Sequence, residues 1–197
     1  MRWCTRARWS TSMSGIVCHV TPGSSIRREL LAAVASAGWF ALTSWVAVVW
    51  VPWRLTDWRV AYQTSNWWPV QVLGVALIVV GLVSAASTFV SFVRAGGTPI
   101  PGAPTDELVV RGLNRFVRNP IYLAVLAIIL GEAMLLGKWS LLVYATVVWL
   151  VAASFVRVYE EPALARRFGP EYESYRNAVP AWWPRLHPWP GPPRRSR

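Results

Sequence analysis

The sequence predicts an all-α integral membrane protein with about four transmembrane helices, followed by a C-terminal interfacial helix on the cytoplasmic side. Hydrophobic residues make up 54% of the 197-residue chain and charged residues only 15%, whereas a soluble domain carries about 25% charged residues. The chain also has 14 tryptophans, a residue that concentrates at membrane–water interfaces. Four apolar runs separated by polar segments complete the pattern, so the lipid bilayer is the first predicted partner.

Each apolar run is long enough to form a helix that crosses the bilayer, which takes about 20 residues. The first run ends at Pro52 and is longer than the apolar core of a cleaved signal peptide. The third run begins at Pro120, and the fourth ends near Tyr159. The approximate limits of the four runs are 30–51, 67–93, 120–137 and 140–159.

The basic residues are distributed unevenly among the segments that connect the runs. Seventeen of the twenty lysines and arginines fall in residues 1–29, 94–119 and 157–197, and three fall in the alternate segments. The positive-inside rule therefore places both termini in the cytoplasm, on the inner side of a plasma or bacterial inner membrane. The net charge of +11 is also compatible with nucleic-acid binding. However, the arginines flank apolar runs and do not line one helix, so we expect no nucleic-acid partner.

The length of the chain favours one domain, flanked by two basic segments. Residues 1–27 are polar, basic and rich in Ser and Thr, and we expect them to be disordered. Residues 28–185 form the predicted membrane domain, and residues 186–197 form a tail rich in proline and arginine. The only two cysteines, Cys4 and Cys18, imply no disulfide framework.

The first candidate site segment, Arg118-Asn119-Pro120-Ile121-Tyr122, marks the start of the third helix. Asparagine is a favourable N-cap, and proline suits the first helical position. The free N–H groups and the dipole of a helix start attract anions, and the arginine adds positive charge. A well-capped helix with interfacial arginines would have the same sequence, so this segment alone does not establish a site.

The second candidate segment follows the fourth apolar run and contains two adjacent carboxylates, Glu160 and Glu161. Pro162 interrupts or restarts the helix there. The alternative is a solvated helix end, in which Arg157 pairs with Glu160 at i, i+3 spacing.

The lengths of the third and fourth helices bring the two segments together. A tight turn at residues 137–140 joins the helices, and each leg is about 27–30 Å long at 1.5 Å per residue. An antiparallel hairpin with equal legs places residues 119–122 beside Glu160 and Glu161. An anion-binding helix start next to carboxylates and an aromatic ring suits a zwitterion with an extra positive charge, such as S-adenosylmethionine.

Glu132 is a separate candidate, because an acid inside a membrane helix is a functional candidate by default. Its position near Gly137 equally allows it to reach the outer surface or to bond to a neighbouring helix. We predict no metal site, since the chain has only two histidines. It also lacks the GxGxxG, P-loop, HExxH and GxSxG motifs.

Residues 90–185 contain two motif blocks. The first contains Gly96-Gly97-Thr98-Pro99-Ile100-Pro101, Leu108-Val109-Val110-Arg111-Gly112 and Arg115-Phe116-Val117-Arg118-Asn119-Pro120-Ile121-Tyr122. The second contains Glu160-Glu161-Pro162-Ala163-Leu164, Phe168-Gly169-Pro170-Glu171-Tyr172, Tyr175, Val179-Pro180 and Pro184. In this order and at this spacing the blocks resemble the isoprenylcysteine carboxyl methyltransferase family. That family belongs to a wider group of membrane methyltransferases that includes phospholipid N-methyltransferases.

The resemblance implies that S-adenosylmethionine binds at the cytoplasmic ends of the last two helices. In relatives an acid contacts the cofactor, and Glu160 matches it by position. The resemblance also implies an arginine that contacts the acceptor one helical turn before this acid. Val156 occupies that position and Arg157 follows it, so Glu160 and Arg157 are the candidate catalytic residues. The positions that the resemblance assigns to cofactor binding are Val109, Val110, Asn114, Arg118, Asn119, Pro120, Ile121, Tyr122, Glu160 and Glu161.

The implied function is an S-adenosylmethionine-dependent methyltransferase of the membrane, acting on an amphiphilic or small carboxylate or thiol acceptor. Direct transfer to a carboxylate or thiolate needs no general base, so catalysis would depend on alignment and proximity. One alternative is a phospholipid N-methyltransferase. An alternative of another class is a non-enzymatic membrane scaffold or assembly protein, which would need neither of the two polar segments.

Overall fold

The computed structural model describes residues 3–6, 16–19, 38–39, 41–61, 66–94 and 110–191. The chain divides into two compact units, Met1–Ser36 and Ala37–Arg197. In the first unit, strands β1 (Trp3–Arg6) and β2 (Ile16–His19) form an antiparallel pair in which Cys4 lies opposite Cys18. The sequence analysis did not predict this strand pair. The rest of the segment expected to be disordered lies outside the described residues.

Helix α1 of the second unit is continuous from residue 41 to Thr56. It contains a π-helical turn, Val46–Trp50, and then the α-helical segment Val51–Thr56, so the predicted end at Pro52 is wrong. A proline ring clashes with the carbonyl group four residues earlier in a regular α-helix. The wider π-turn directly before Pro52 relieves that clash, and the helix ends at Asp57 in the left-handed conformation.

The next three helices agree closely with the predicted runs. Helix α2 is Trp68–Arg94, α3 is Pro120–Leu136 and α4 is Trp139–Phe155. Gly137 ends α3 with a positive φ of 65°, which a residue without a side chain adopts at little cost. The chain then enters α4 after a single further residue, which confirms the tight hairpin between α3 and α4.

Helix α4 continues beyond its predicted end through a second π-helical turn, Val156–Glu160. It leads directly into α5 (Glu161–Phe168), and α6 (Pro170–Ala178) follows. Pro162 therefore does not break the helix, because a π-turn again precedes the proline. An irregular tail, residues 179–191, completes the described part of the chain.

Two helical stretches, Trp68–Ser91 and Trp139–Phe168, are long and apolar enough to cross a membrane, and α3 is a shorter apolar helix. Only 17% and 22% of the residues in the apolar windows of the two long stretches are buried. The core helix of a soluble protein would be mostly buried. Large apolar side chains such as Val79, Val83 and Val151 are exposed, as expected of helices that face lipid.

Helices α2 and α3 pack with their backbones in contact along a seam of small residues. A Cβ atom added to Gly131 would lie 2.5 Å from the carbonyl oxygen of Gly74. One added to Gly81 would lie 2.8 Å from the carbonyl oxygen of Ala124. On its other side α3 packs against α4, where Ile129 and Ala145 are buried together. Helix α3 is therefore enclosed between two neighbours, which fixes the position of its N-terminal end.

Candidate functional site

The start of α3 and the end of α4 meet, as the equal leg lengths predicted. The hydroxyl of Tyr122 donates to Oε2 of Glu160 at 3.4 Å, and Nη1 of Arg118 donates to Oε1 of Glu161 at 2.8 Å. The two candidate segments therefore form one polar cluster at the end of the hairpin opposite the turn at Gly137.

Glu161 is the shared carboxylate of a small ion-pair network. Arg118 contacts one of its oxygens and Arg176 of α6 contacts the other, at 3.3 Å. The side chains of Arg118 and Glu161 are only 11% and 13% exposed. Arg118 also donates to the hydroxyl of Tyr172 at 3.2 Å. Glu161 is thus neutralised by two guanidinium groups and joins α5, α6 and the segment before α3.

Glu160 has a different environment from its neighbour. Its bond with Tyr122 is long, since an O–H donor usually lies about 2.5–2.7 Å from a carboxylate oxygen. The carboxylate of Glu160 therefore keeps capacity for a cationic group. Arg157 lies on the same π-turn but is exposed. The described residues show no ion pair between Arg157 and Glu160, so the alternative of a self-paired helix end does not hold.

The start of α3 has no side-chain cap. Pro120 occupies the first turn as predicted, but the prediction that Asn119 caps the helix is wrong, because its side chain makes no capping bond. Its amide group instead donates to the carbonyl oxygen of Ala181 at 3.2 Å. The first N–H groups of α3 consequently have no side-chain cap, and such groups favour an anionic ligand.

The tail runs antiparallel to residues 115–118 and is held to them by backbone hydrogen bonds. Arg118 donates to Pro180, Arg185 donates to Phe116, and Trp189 donates to Arg115, at 2.9–3.0 Å. The guanidinium group of Arg115 also donates to the carbonyl oxygen of Trp189 at 2.7 Å. The segment before α3 is therefore fixed by the tail and does not depend on α3 alone.

The tail also adds an aromatic side chain to the site. Trp182 lies 6.3 Å from Tyr122 and 6.3 Å from Trp149 of α4, measured between ring centroids. Sequence reasoning did not assign Trp182 to the site. The only signal in the sequence is the density of proline and tryptophan in residues 179–191.

A buried, mostly aromatic cluster supports the segment before α3. It consists of Tyr172, Tyr175, Val179 and Trp189, with Val110 packed against it. The hydroxyl of Tyr175 donates to the carbonyl oxygen of Asn114 at 2.7 Å. Burial raises the pKa values of Tyr172 and Tyr175 above their ordinary range, so both phenols stay protonated.

The remaining predicted site residues differ in where the structure places them. Val110 and Asn114 contact the supporting cluster, and Val109 lies outside the described residues. Glu132 is buried in α3, twelve residues from Pro120 and therefore about 18 Å along the helix from the cluster. It is not part of the candidate site. In the described ranges no group of three or more His, Cys, Asp or Glu side chains could hold a metal ion.

Comparison with known proteins gives matches over the same part of the chain. A family model described as phospholipid methyltransferase matches residues 70–171, just over half of the chain. A protein-S-isoprenylcysteine O-methyltransferase from Schizosaccharomyces pombe is 37% identical over 78 residues, which are 39% of this chain and 33% of the relative. Protein-S-isoprenylcysteine O-methyltransferase B from Arabidopsis thaliana is 28% identical over 128 residues, 61% of each protein.

A further relative, a probable protein-S-isoprenylcysteine O-methyltransferase from Oryza sativa subsp. indica, is 26% identical over 134 residues, 64% of this chain and 67% of the relative. The chain thus spans between a third and two thirds of the length of these relatives. No solved structure matches the chain significantly.

Proposed function

This chain belongs to the phospholipid methyltransferase family, as its two motif blocks indicated, and from that premise we propose that it is an S-adenosylmethionine-dependent methyltransferase of the membrane. One observation carries the proposal. The hydrogen bond between Tyr122 and Glu160 brings the two motif blocks into a single site at one end of the α3–α4 hairpin.

The proposed arrangement in the membrane has four spans, α1 to α4, with α5 and α6 in the cytoplasm. The apolar faces of α2 and α4 support it, as does the concentration of basic residues in alternate segments. In this arrangement the site lies at the cytoplasmic surface, where a soluble cofactor and a membrane-bound acceptor can both reach it.

The side chains at the site fit S-adenosylmethionine. The uncapped start of α3 suits its carboxylate group. Glu160 offers a carboxylate with spare bonding capacity for its ammonium or sulfonium group. The rings of Tyr122 and Trp182 offer faces that attract a cation. Together these groups supply one partner for each charge of the cofactor.

When bound, S-adenosylmethionine would supply an electrophilic methyl group. The protein's contribution is to orient the cofactor and the acceptor relative to each other and to exclude water. Glu160 is held by Tyr122 on α3, and Glu161 beside it is locked by Arg118 and Arg176, so the carboxylate of Glu160 has a fixed position. A carboxylate or thiolate acceptor needs no base from the protein, and rate acceleration follows from alignment.

For the acceptor we propose an amphiphilic or small carboxylate or thiol compound, because the relatives are named for methylation of isoprenylcysteine. A phospholipid amine is the second candidate, and the description of the matching family model favours it. A non-enzymatic scaffold is the third. Glu160 argues against a scaffold, because its half-buried carboxylate has one long hydrogen bond, from Tyr122, and no ion pair in the described part of the chain.

The test is incubation of membranes containing the protein with methyl-labelled S-adenosylmethionine, followed by identification of the labelled product. We expect labelled product from the wild type and a loss of about tenfold to a hundredfold in the Glu160→Gln variant, as for a hydrogen bond to a charged group. The matched control is Glu173→Gln, a change of the same kind at an exposed position of α6, which should leave the labelling unchanged. Absence of product, together with no binding of the cofactor in calorimetry, would support the scaffold.

A further inference from the structure

Two arginines near the candidate site have buried nitrogen atoms that lack a hydrogen-bond acceptor in the described part of the chain. They are Nη1 of Arg185, in the tail, and Nε of Arg118, in the segment before α3. Each nitrogen is inaccessible to solvent. A buried donor on a charged group is costly to leave without a partner. A bound anion would satisfy a donor of this kind.

The carboxylates at this end of the protein do not provide that anion. Glu161 is already shared by Arg118 and Arg176, and Glu160 forms no ion pair in the described part of the chain. Glu171 and Glu173 of α6 are exposed. Among the residues that the structure describes, no carboxylate therefore forms an ion pair with Arg185.

The backbone holds Arg185 in a fixed place. Its N–H group donates to the carbonyl oxygen of Phe116 at 2.9 Å, four residues before the first residue of α3. The tail on either side is held as well, by the bond from Arg118 to Pro180 and the bond from Trp189 to Arg115. An arginine on a backbone fixed in this way loses little entropy when it binds a ligand.

We propose that Arg185 binds the anionic group of a ligand at the cytoplasmic end of the protein. The group is a carboxylate or a phosphate, the two anions that match the geometry of a guanidinium. This inference rests on the proposed function, which supplies two sources of the anionic group. These are the carboxylate of the methyl donor and the phosphate of a lipid headgroup.

The experiment compares the wild type with Arg185→Gln and with Arg185→Lys, which keeps the charge, in purified full-length protein. Binding of S-adenosylhomocysteine and of methylthioadenosine, which lacks the carboxylate, is measured by calorimetry in neutral lipid nanodiscs. Affinity for vesicles of phosphatidic acid in phosphatidylcholine is measured separately. The control is Arg166→Gln, at an exposed arginine of α5, and thermal unfolding shows that each variant is folded.

If the source is the cofactor, Arg185→Gln weakens the binding of S-adenosylhomocysteine about tenfold to a hundredfold and leaves the binding of methylthioadenosine unchanged. Arg185→Lys then restores part of the lost affinity. If the source is a lipid phosphate, cofactor binding is unchanged and affinity for the phosphatidic acid vesicles falls in Arg185→Gln but not in Arg166→Gln. Unchanged binding in both assays overturns the inference while the proposed function stands. A wild type that binds no S-adenosylhomocysteine overturns the proposed function, and the vesicle assay alone then decides the role of Arg185.

Discussion

Glu160 and Glu161 are chemically identical neighbours with different environments. Successive residues on a helix point about 100° apart, so one carboxylate faces Tyr122 of α3 and the other faces Arg118 and Arg176. Glu161 is balanced by two guanidinium groups, and Glu160 by a single long hydrogen bond. Within the proposed function, Glu160 would therefore bind the ligand and Glu161 would hold Glu160 in position.

This assignment predicts that the two glutamates respond differently to the same substitution. Glu161→Gln leaves the largely buried charge of Arg118 without its partner, and breaking a buried pair in this way costs about 3 kcal/mol. We expect a clear fall in the thermal unfolding temperature in detergent. Glu160→Gln should unfold close to the wild-type temperature while losing cofactor affinity.

The control for the Glu161 prediction is Arg176→Gln. Arg176 is the more exposed partner, and exposed ion pairs contribute little, about 0–1 kcal/mol. Its removal should therefore lower the unfolding temperature much less than Glu161→Gln does. Equal destabilisation by Glu160→Gln and Glu161→Gln would contradict the division of roles.

Asn119 shows where single-residue reasoning from the sequence fails. Capping preference describes a helix end in isolation, and Asn119 precedes Pro120 in the favoured arrangement. In the folded chain the amide group of Asn119 instead donates a hydrogen bond to the carbonyl oxygen of Ala181. The two residues are 62 positions apart, and no local pattern reports such a contact. For the same reason, Trp182 and Arg185 could not be assigned from the sequence.

At the scale of helices, the seam between α2 and α3 predicts a strict size limit at Gly131. Gly131→Ala gains up to about 1 kcal/mol of helix propensity. The added Cβ would lie 2.5 Å from a backbone oxygen of Gly74 and 2.7 Å from Ile78, and overpacking of this kind costs about 1–3 kcal/mol. The cost of the clash exceeds the gain in helix propensity, so the unfolding temperature of Gly131→Ala should fall below that of the wild type.

Gly38→Ala is the matched control for the seam. Gly38 is also helical, but a Cβ there meets nothing within 4 Å. Only the gain in propensity applies, so its unfolding temperature should stay the same or rise slightly. A Gly131→Ala protein as stable as the Gly38→Ala protein would show that the two helices do not touch at this point.

The helices themselves were largely predictable from the sequence, because length and apolar composition determine them. The limits of α2, α3 and α4 and the meeting of the two hairpin ends follow from runs of about 20 apolar residues and a constant rise per residue. The π-turns before Pro52 and Pro162 were not predictable in this way. A proline alone signals a helix end, and only the structure shows that the helix widens and continues.

At the scale of the whole helical unit, its described part has two chemically different ends. The connection between α1 and α2 is held to the end of α3, where Ala61 donates to Leu136 and the indole of Trp67 donates to Met134. Trp68 and Trp139 are exposed at this end, as at a membrane interface. The opposite end carries the ion-pair network and the tail. The proposed orientation requires this difference, with the α3–α4 turn outside and the ion-pair network in the cytoplasm.

The polarity predicts the orientation of the protein in the membrane. In a version with Cys4 and Cys18 replaced by serine, a single cysteine at Lys138, in the α3–α4 turn, should react with a membrane-impermeant maleimide in intact cells. A cysteine at Glu173 on α6 should react only after the cells are permeabilised. The physical reason is that seventeen of the twenty basic residues fall in segments that the proposed four-span arrangement places on the same side as Glu173, and positively charged segments stay in the cytoplasm. Labelling of both positions in intact cells would place the ion-pair network outside, away from the cytoplasmic cofactor, and the proposed enzyme could not work.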